Sequence, residues 1–171
     1  MDTVIADLYA HLEERGLRGR VVPIHHLRDL QNEVEGRRGR GEFDGEFYQE
    51  RLSFFSFEPP PELPGATSLV VVSVPRPQTR VGLTWQGKTL TTVLPPTYLR
   101  YREVARETRE WLAGWLSPRG YQLVTAKVPQ KLSTVCSGLA DYGRNNITYV
   151  PGMGSFQQPV AVLRFQCHNR G

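Results

Sequence analysis

Apolar positions recur along this chain with two different periods. Val4, Ile5, Leu8 and Leu12 fall on one face at helical spacing, which predicts an amphipathic helix over residues 3–15, stopped near Gly16. Val21-Val22-Pro23-Ile24 reads as a short extended piece, and Leu27, Leu30 and Val34 predict a second helix ending at Gly36. Ser68 to Val74 is almost continuously apolar, the pattern of a strand buried on both faces. Residues 81–85 and 88–93 alternate apolar and polar around Gln86-Gly87, which predicts a β-hairpin. The longest helix is predicted over 97–116, with Tyr98, Tyr101, Ala105, Thr108, Leu112 and Trp115 at helical spacing. Tyr121 to Thr125 reads as a strand and Pro129 to Ser137 as a short helix with proline in its first turn. Ile147 to Val150 and Val160 to Phe165 read as closing strands. Helices and strands are interspersed around one clear hairpin. That order predicts an α+β fold, a mixed α/β sandwich rather than a purely parallel doubly wound sheet.

The connections carry their own signals. Residues 36–46 interleave Gly36, Gly39, Gly41 and Gly45 with Arg37, Arg38, Arg40, Glu42, Asp44 and Glu46, which reads as a mobile, mixed-charge loop able to touch phosphate. Phe43, Phe47, Tyr48, Phe54, Phe55 and Phe57 follow, an aromatic group suited to a core edge or to walling a flat ligand. Pro59-Pro60-Pro61 and Pro64-Gly65 form a stiff connector before the first long strand.

Composition narrows the picture. A chain of 171 residues suits a single domain over 1–171 with a sizeable core. No apolar run approaches the roughly 20 residues that span a bilayer, so no membrane partner is expected. Asp2, Asp7, Glu13 and Glu14 interrupt any signal peptide, and the expected location is cytoplasmic. Net charge is +4, with arginine far outnumbering Lys88, Lys127 and Lys131 among the cations. Cys136 and Cys167 are too few for a disulfide scaffold or for a four-cysteine cluster. Cys136 is expected as a buried thiol on the apolar side of its short helix. His25 and His26, adjacent in sequence, are expected to point apart and to make a poor metal pair. Cys167 and His168 lack the further ligands of a zinc site, so no metal site is expected.

The densest chemistry lies in Ser137-Gly138-Leu139-Ala140-Asp141-Tyr142-Gly143-Arg144-Asn145-Asn146, closed by Gly152-Met153-Gly154-Ser155-Phe156. Glycine permits positive φ and close approach of backbone to a ligand, and asparagine tolerates the same region while both donating and accepting hydrogen bonds. The run reads either as a loop that wraps a large polar ligand or as a turn-rich connection between helix and strand.

Gly138-Leu139, Gly143-Arg144-Asn145-Asn146 and Gly154-Ser155-Phe156 resemble the glycine-asparagine block and the following G-S-[WF] element of the epoxyqueuosine reductase family and its iron-sulfur relatives, with reductive dehalogenases further off. The looser similarity runs from the Val70 strand onward. The resemblance implies a nitroreductase-like, cobalamin-binding N-terminal domain that works with two iron-sulfur clusters to remove an epoxide oxygen from a modified tRNA base. The clusters would sit on an electron-donor domain or protein outside this chain. The substrate would be a tRNA or a small molecule.

By that resemblance, Lys131, Ser137, Gly138, Leu139, Gly143, Arg144, Asn145, Asn146, Met153, Gly154 and Ser155 are candidate cofactor-binding residues. Leu139, Tyr142 and Met153 would be walls, and Lys131 and Arg144 would meet phosphate. An ion pair with Asp141 is the competing role for Arg144. The family's acid ahead of the loop is missing: Lys127-Val128-Pro129-Gln130-Lys131 holds no carboxylate. Asp141 and Tyr142 are the remaining candidate proton donors. Two other readings stay open, a non-catalytic corrinoid or partner-binding module and a flavin-type reductase.

Overall fold

The computed structural model describes residues 3–166. Cys167 and His168 lie outside the described residues. A four-stranded sheet forms the middle layer, in the order β1 (Arg18–Pro23), β2 (Ser68–Pro75), β8 (Gln157–Gln166), β5 (Tyr121–Thr125), and every neighbouring pair is antiparallel. The fold is α+β.

Alternation along β2 explains its continuous apolar run. Val70 and Val72 point to one face, where they pack with Leu8 and Leu12 of α1 (Thr3–Glu14) and Leu112 of α4 (Tyr101–Leu116). Leu69 and Val71 point to the other, against Leu27 and Leu30 of α2 (His26–Gly39) and the chain around α5 (Gln130–Cys136). Successive strand side chains face opposite ways, so a strand covered by helices on both faces must be apolar at every position. The sandwich therefore has three layers, with one core on each side of the sheet.

Several predicted boundaries move. α2 runs on through Gly36 to Gly39, because Arg37 pairs with Glu33 at 2.7 Å and Arg38 with Glu35 at 3.5 Å along its surface. The expected loop over 36–46 shrinks accordingly. A further helix, α3 (Gly45–Arg51), follows it, started by Asp44, whose Oδ1 accepts from the Phe47 amide at 3.0 Å. Arg40 pairs with Glu42 at 2.5 Å, so all three arginines of the predicted basic patch have carboxylate partners.

The predicted helix over 97–116 is broken near its start. A 3-10 turn covers Pro96–Tyr98, Leu99 is extended, and Arg100 adopts φ 48° before α4 begins. Arg76 holds the break by donating to the Leu99 carbonyl at 2.8 Å. The inward face of α4 is Val104, Thr108, Leu112 and Leu116; Thr108 and Leu112 match the predicted stripe, while Val104 and Leu116 take the places of Ala105 and Trp115.

The hairpin of β3 (Thr79–Trp85) and β4 (Lys88–Leu94) forms as expected. Gln86 and Gly87 both have positive φ, the requirement of a two-residue turn matched to strand twist. The ribbon stands out from the sandwich as its own two-stranded sheet.

Candidate functional site

The site is built at the C-terminal end of α5. Ser133 and Thr134 are buried, their hydroxyls donating to the Gln130 carbonyl at 2.9 and 2.6 Å. Gly138, at φ 71°, ends the helix, and the Leu139 amide returns to the Thr134 carbonyl at 3.1 Å. Leu139 and Ala140 then drop into the core. The chain turns back through β6 (Asp141–Tyr142) and β7 (Thr148–Tyr149), a short antiparallel hairpin.

The tip of this hairpin is the Gly143–Asn146 turn. The Asn146 amide donates to the Gly143 carbonyl at 3.0 Å, and the Gly143 amide donates to the Ile147 carbonyl at 2.8 Å. Asn145 Oδ1 accepts from the Ile147 amide at 3.3 Å, and Asn146 sits at φ 58°. A Cβ on Gly143 would lie 3.0 Å from Asn145 Oδ1 and 3.2 Å from the Ile147 carbonyl, a tight fit that would push the Asn145 side chain or the turn by a few tenths of an ångström. From α5, Lys131 Nζ donates to the Asn146 carbonyl at 3.4 Å.

Tyr142, Gly143, Arg144 and Asn146 form one side of a groove of about 540 Å³. Phe43, Phe47 and Leu52 face them from α3 and its approach, with Val34 and Arg37 from α2 and Pro129 and Leu132 from α5. That volume lies within the range of small-molecule sites. Phe47 is 49% exposed, a large aromatic surface held open beside the turn.

Electrostatics favour neutral or anionic contents. The Tyr142 phenol is pushed above its ordinary value by burial, against a smaller opposing effect of the Arg37 charge, so it keeps its proton at neutral pH. Arg37 is held more firmly protonated by its hydrogen bond to Glu33. The Arg144 side chain is exposed and pairs with nothing among the described residues, including Asp141. The Arg144 and Asn145 amides have no backbone acceptor among the described residues.

The predicted loop therefore divides. Tyr142, Gly143, Arg144 and Asn146 line the groove, and Lys131 and Asn145 support the turn. Ser137 Oγ donates to the Thr134 carbonyl at 2.9 Å and Gly138 stops α5, so both complete a helix end. Leu139 is 4% exposed in the core and Met153 packs against the same cluster, and neither lines the groove. Gly154 closes a separate tight turn through a bridge to Val150, with Ser155 following it. Asp141 is exposed and, by strand alternation, faces away from Tyr142 and the groove.

Two further expectations are corrected. Cys136 is exposed, because α5 turns Ser133 and Thr134 inward instead. Its thiol is nevertheless pushed up, first by partial burial and then by Glu33 and Asp29. His25 and His26 do not point apart: their rings stack 5.2 Å from one another at 23°.

The segment Lys127–Lys131 runs between two grooves. Lys127 and Val128 line a second one of about 590 Å³ with Pro59, Pro60 and Pro61, while Pro129 and Leu132 belong to the first. Gln130 Oε1, between them in sequence, is buried without a partner among the described residues. Sequence reasoning missed Val34, Leu52 and Leu132 as groove walls. The aromatic run at Phe43 and Phe47, and Arg37 in the stretch able to touch phosphate, hinted at that side.

No family model matches this sequence, and no curated protein matches it. Solved structures of similar fold do exist. Epoxyqueuosine reductase from Bacillus subtilis, seen with an aspartate-bearing catalytic loop swung out of its active site, superposes with a TM-score of 0.61 at 15% identity, over 97% of this chain and 47% of that one. The chain has an epoxyqueuosine reductase-like fold. The enzyme from Streptococcus thermophilus gives a TM-score of 0.61 at 14% identity over 96% of this chain and 47% of that one. A selenomethionine-labelled epoxyqueuosine reductase gives 0.58 at 11% identity, over 95% and 45%. This chain thus spans less than half the length of each of these reductases, and the likeness reaches through its N-terminal third as well as the part from Val70 onward.

Proposed function

We propose that this chain is the cofactor-holding domain of a reductase similar to epoxyqueuosine reductase, with cobalamin as the cofactor and the groove beside the Gly143–Asn146 turn as its place. The observation that carries the reading is the meeting of an epoxyqueuosine reductase-like fold with a groove walled by that turn. The donor set fits such a ligand. Cobalamin is large, rimmed by amides and bears a phosphate. Arg144, Asn146 and the free amides of Arg144 and Asn145 offer donors, and Phe43, Phe47 and Tyr142 offer flat apolar walls.

When bound, the cofactor would supply the reductive chemistry, with electrons from an iron-sulfur domain or protein outside this chain. The protein's own part would be to seat it through Arg144 and Asn146, keep water from its face with Phe43 and Phe47, and hold a proton on Tyr142 Oη. Lys131 would keep the turn in place through the Asn146 carbonyl. The substrate would be a modified tRNA base or a smaller oxygenated molecule.

A second reading has its own support. No carboxylate stands in Lys127–Lys131, where the family's acid is expected, and Asp141 faces away from the groove. This favours a non-catalytic corrinoid-carrying module. A flavin-type reductase is separable by colour.

The test is a spectroscopic titration of the purified chain with cob(II)alamin, alongside Asn145→Ala/Asn146→Ala. A base-off shift at micromolar protein that the double variant loses supports the cobalamin reading. No shift with either protein overturns it, and a yellow purified protein turns the assignment to flavin.

A further inference from the structure

We propose that His25, His26 and Asp29 at the start of α2 form a binding site for a divalent, imidazole-seeking transition-metal ion of the zinc class. The three side chains each offer a ligand atom, and these atoms lie within 4.8 Å of one another. The helix explains the grouping. Asp29 follows His25 by four residues and His26 by three, the two spacings that put side chains on one face. The imidazoles are stacked at 5.2 Å, so rotamers have closed the roughly 100° that the helix puts between successive residues.

Among the described residues, none of these three side chains has a hydrogen-bond partner. His25 occupies the N-cap position yet makes no capping hydrogen bond, although this position favours short side chains that cap. His26 Nδ1 stands 3.8 Å from Asp29 Oδ2, too far for a hydrogen bond, and this is the carboxylate's partner among the described residues. Three potential ligands are thus collected at the surface with no hydrogen-bond partner among the described residues.

Two nitrogen donors and one carboxylate oxygen select the metal. That set suits zinc, nickel, copper or ferrous iron, whereas magnesium and calcium prefer all-oxygen shells. His25 also lines a groove of about 410 Å³, together with Glu58 and Arg28. Water would fill the remaining positions of the shell, since Glu58 lies outside this group of ligand atoms. Two features oppose the ion: the partial positive charge of the helix N-terminus and the nearby Arg28. Micromolar rather than nanomolar affinity is therefore expected.

This groove shares no lining residue with the one beside Gly143–Asn146, so the inference stands apart from the cobalamin reading. Its consequence would be local: a bound ion would tie His25 and His26 to Asp29 across the first turn of α2.

The test is isothermal titration calorimetry of the full chain with zinc chloride and nickel chloride, with magnesium chloride as the control. One ion per chain at micromolar Kd is expected for zinc and nickel, with no magnesium binding at the same concentrations. His26→Gln and Asp29→Asn should each weaken zinc at least tenfold while leaving the far-ultraviolet circular dichroism unchanged. Cys136→Ser and a Cys167→Ser/His168→Ala variant should bind as the parent does. In imidazole-detected NMR, zinc should shift His25 and His26 and leave His11 in place. No zinc binding at millimolar concentration overturns the proposal. So does undiminished binding in His26→Gln, or loss of binding on replacing the cysteines or His168.

Discussion

Lys131 Nζ donates to the carbonyl oxygen of Asn146 at 3.4 Å, tying the first turn of α5 to the tip of the β6–β7 hairpin. The two residues are 15 apart in sequence and both exposed, so the bond contributes to fold stability at most about 1 kcal/mol. Lys131→Ala should leave the thermal midpoint nearly unchanged. The same change removes a cation beside the groove, and about a tenfold loss of affinity for a phosphate-bearing corrinoid is expected in the spectroscopic titration. Unfolding of the variant, or undiminished binding, would refute this division of roles.

Asn146 holds φ 58°, a conformation that glycine and asparagine adopt readily and branched residues do not. Asn146→Gly should therefore keep stability within a few tenths of a kcal/mol of the parent. Asn146→Val should lose about 1–2 kcal/mol in urea denaturation, from the left-handed backbone alone. Equal stability of the two variants would show that the turn relaxes out of this conformation.

A buried polar chain joins the site to the central sheet. Ser73 Oγ donates to Gln157 Oε1 at 3.0 Å, and Gln157 Nε2 donates to Thr148 Oγ1 at 2.9 Å. Replacing Gln157 by Leu would leave two buried hydroxyls without their partner, at about 1–3 kcal/mol. Chemical denaturation of Gln157→Leu, Thr148→Val and the double variant should give a coupling energy of about 0.5–3 kcal/mol. Additive losses would mean that the hairpin is held by apolar packing only.

The phenols of Tyr101 and Tyr142 are both raised by burial. Their folded values lie above their unfolded ones, so the folded state holds these protons more tightly. Stability is unaffected below pH of about 10 and falls as pH rises past that point, where the unfolded chain ionises first. Ultraviolet titration at 295 nm should show late-ionising tyrosines, and Tyr142→Phe should remove one. Under the cobalamin reading that variant should keep binding but lose any proton-dependent turnover.

Much of the fold is legible in residue order. The β2 run, the alternating hairpin around Gln86-Gly87 and the short helix after Pro129 each follow from a local period or a local backbone constraint. α3 escaped because its seven residues show no apolar stripe, and Asp44 is its main signal. Gly36 misled as a helix stop because the Arg37–Glu33 and Arg38–Glu35 pairs carry α2 past it. His25 and His26 misled because adjacency in sequence says nothing of rotamers.

The candidate site was legible by half. Gly143, Arg144 and Asn146 announced themselves by residue type, since positive φ, close approach and free donors are properties of single residues. Leu139 and Met153 carried the same apolar signal as true groove walls, and only packing assigned them to the core. Phe43 and Phe47, roughly a hundred residues upstream, reach the turn because α2 and α5 cover the same face of the sheet.

By itself, then, the sequence determined most of the elements (α3 and the break before α4 excepted), the α+β class and the chemistry available at the Gly143–Asn146 turn, because these depend on neighbours a few residues away. Tertiary structure alone decided which half of the glycine-asparagine run faces a groove, what stands opposite it, and that Asp141 turns away. Those outcomes depend on contacts between distant segments across a sheet buried on both faces, and no local period encodes them.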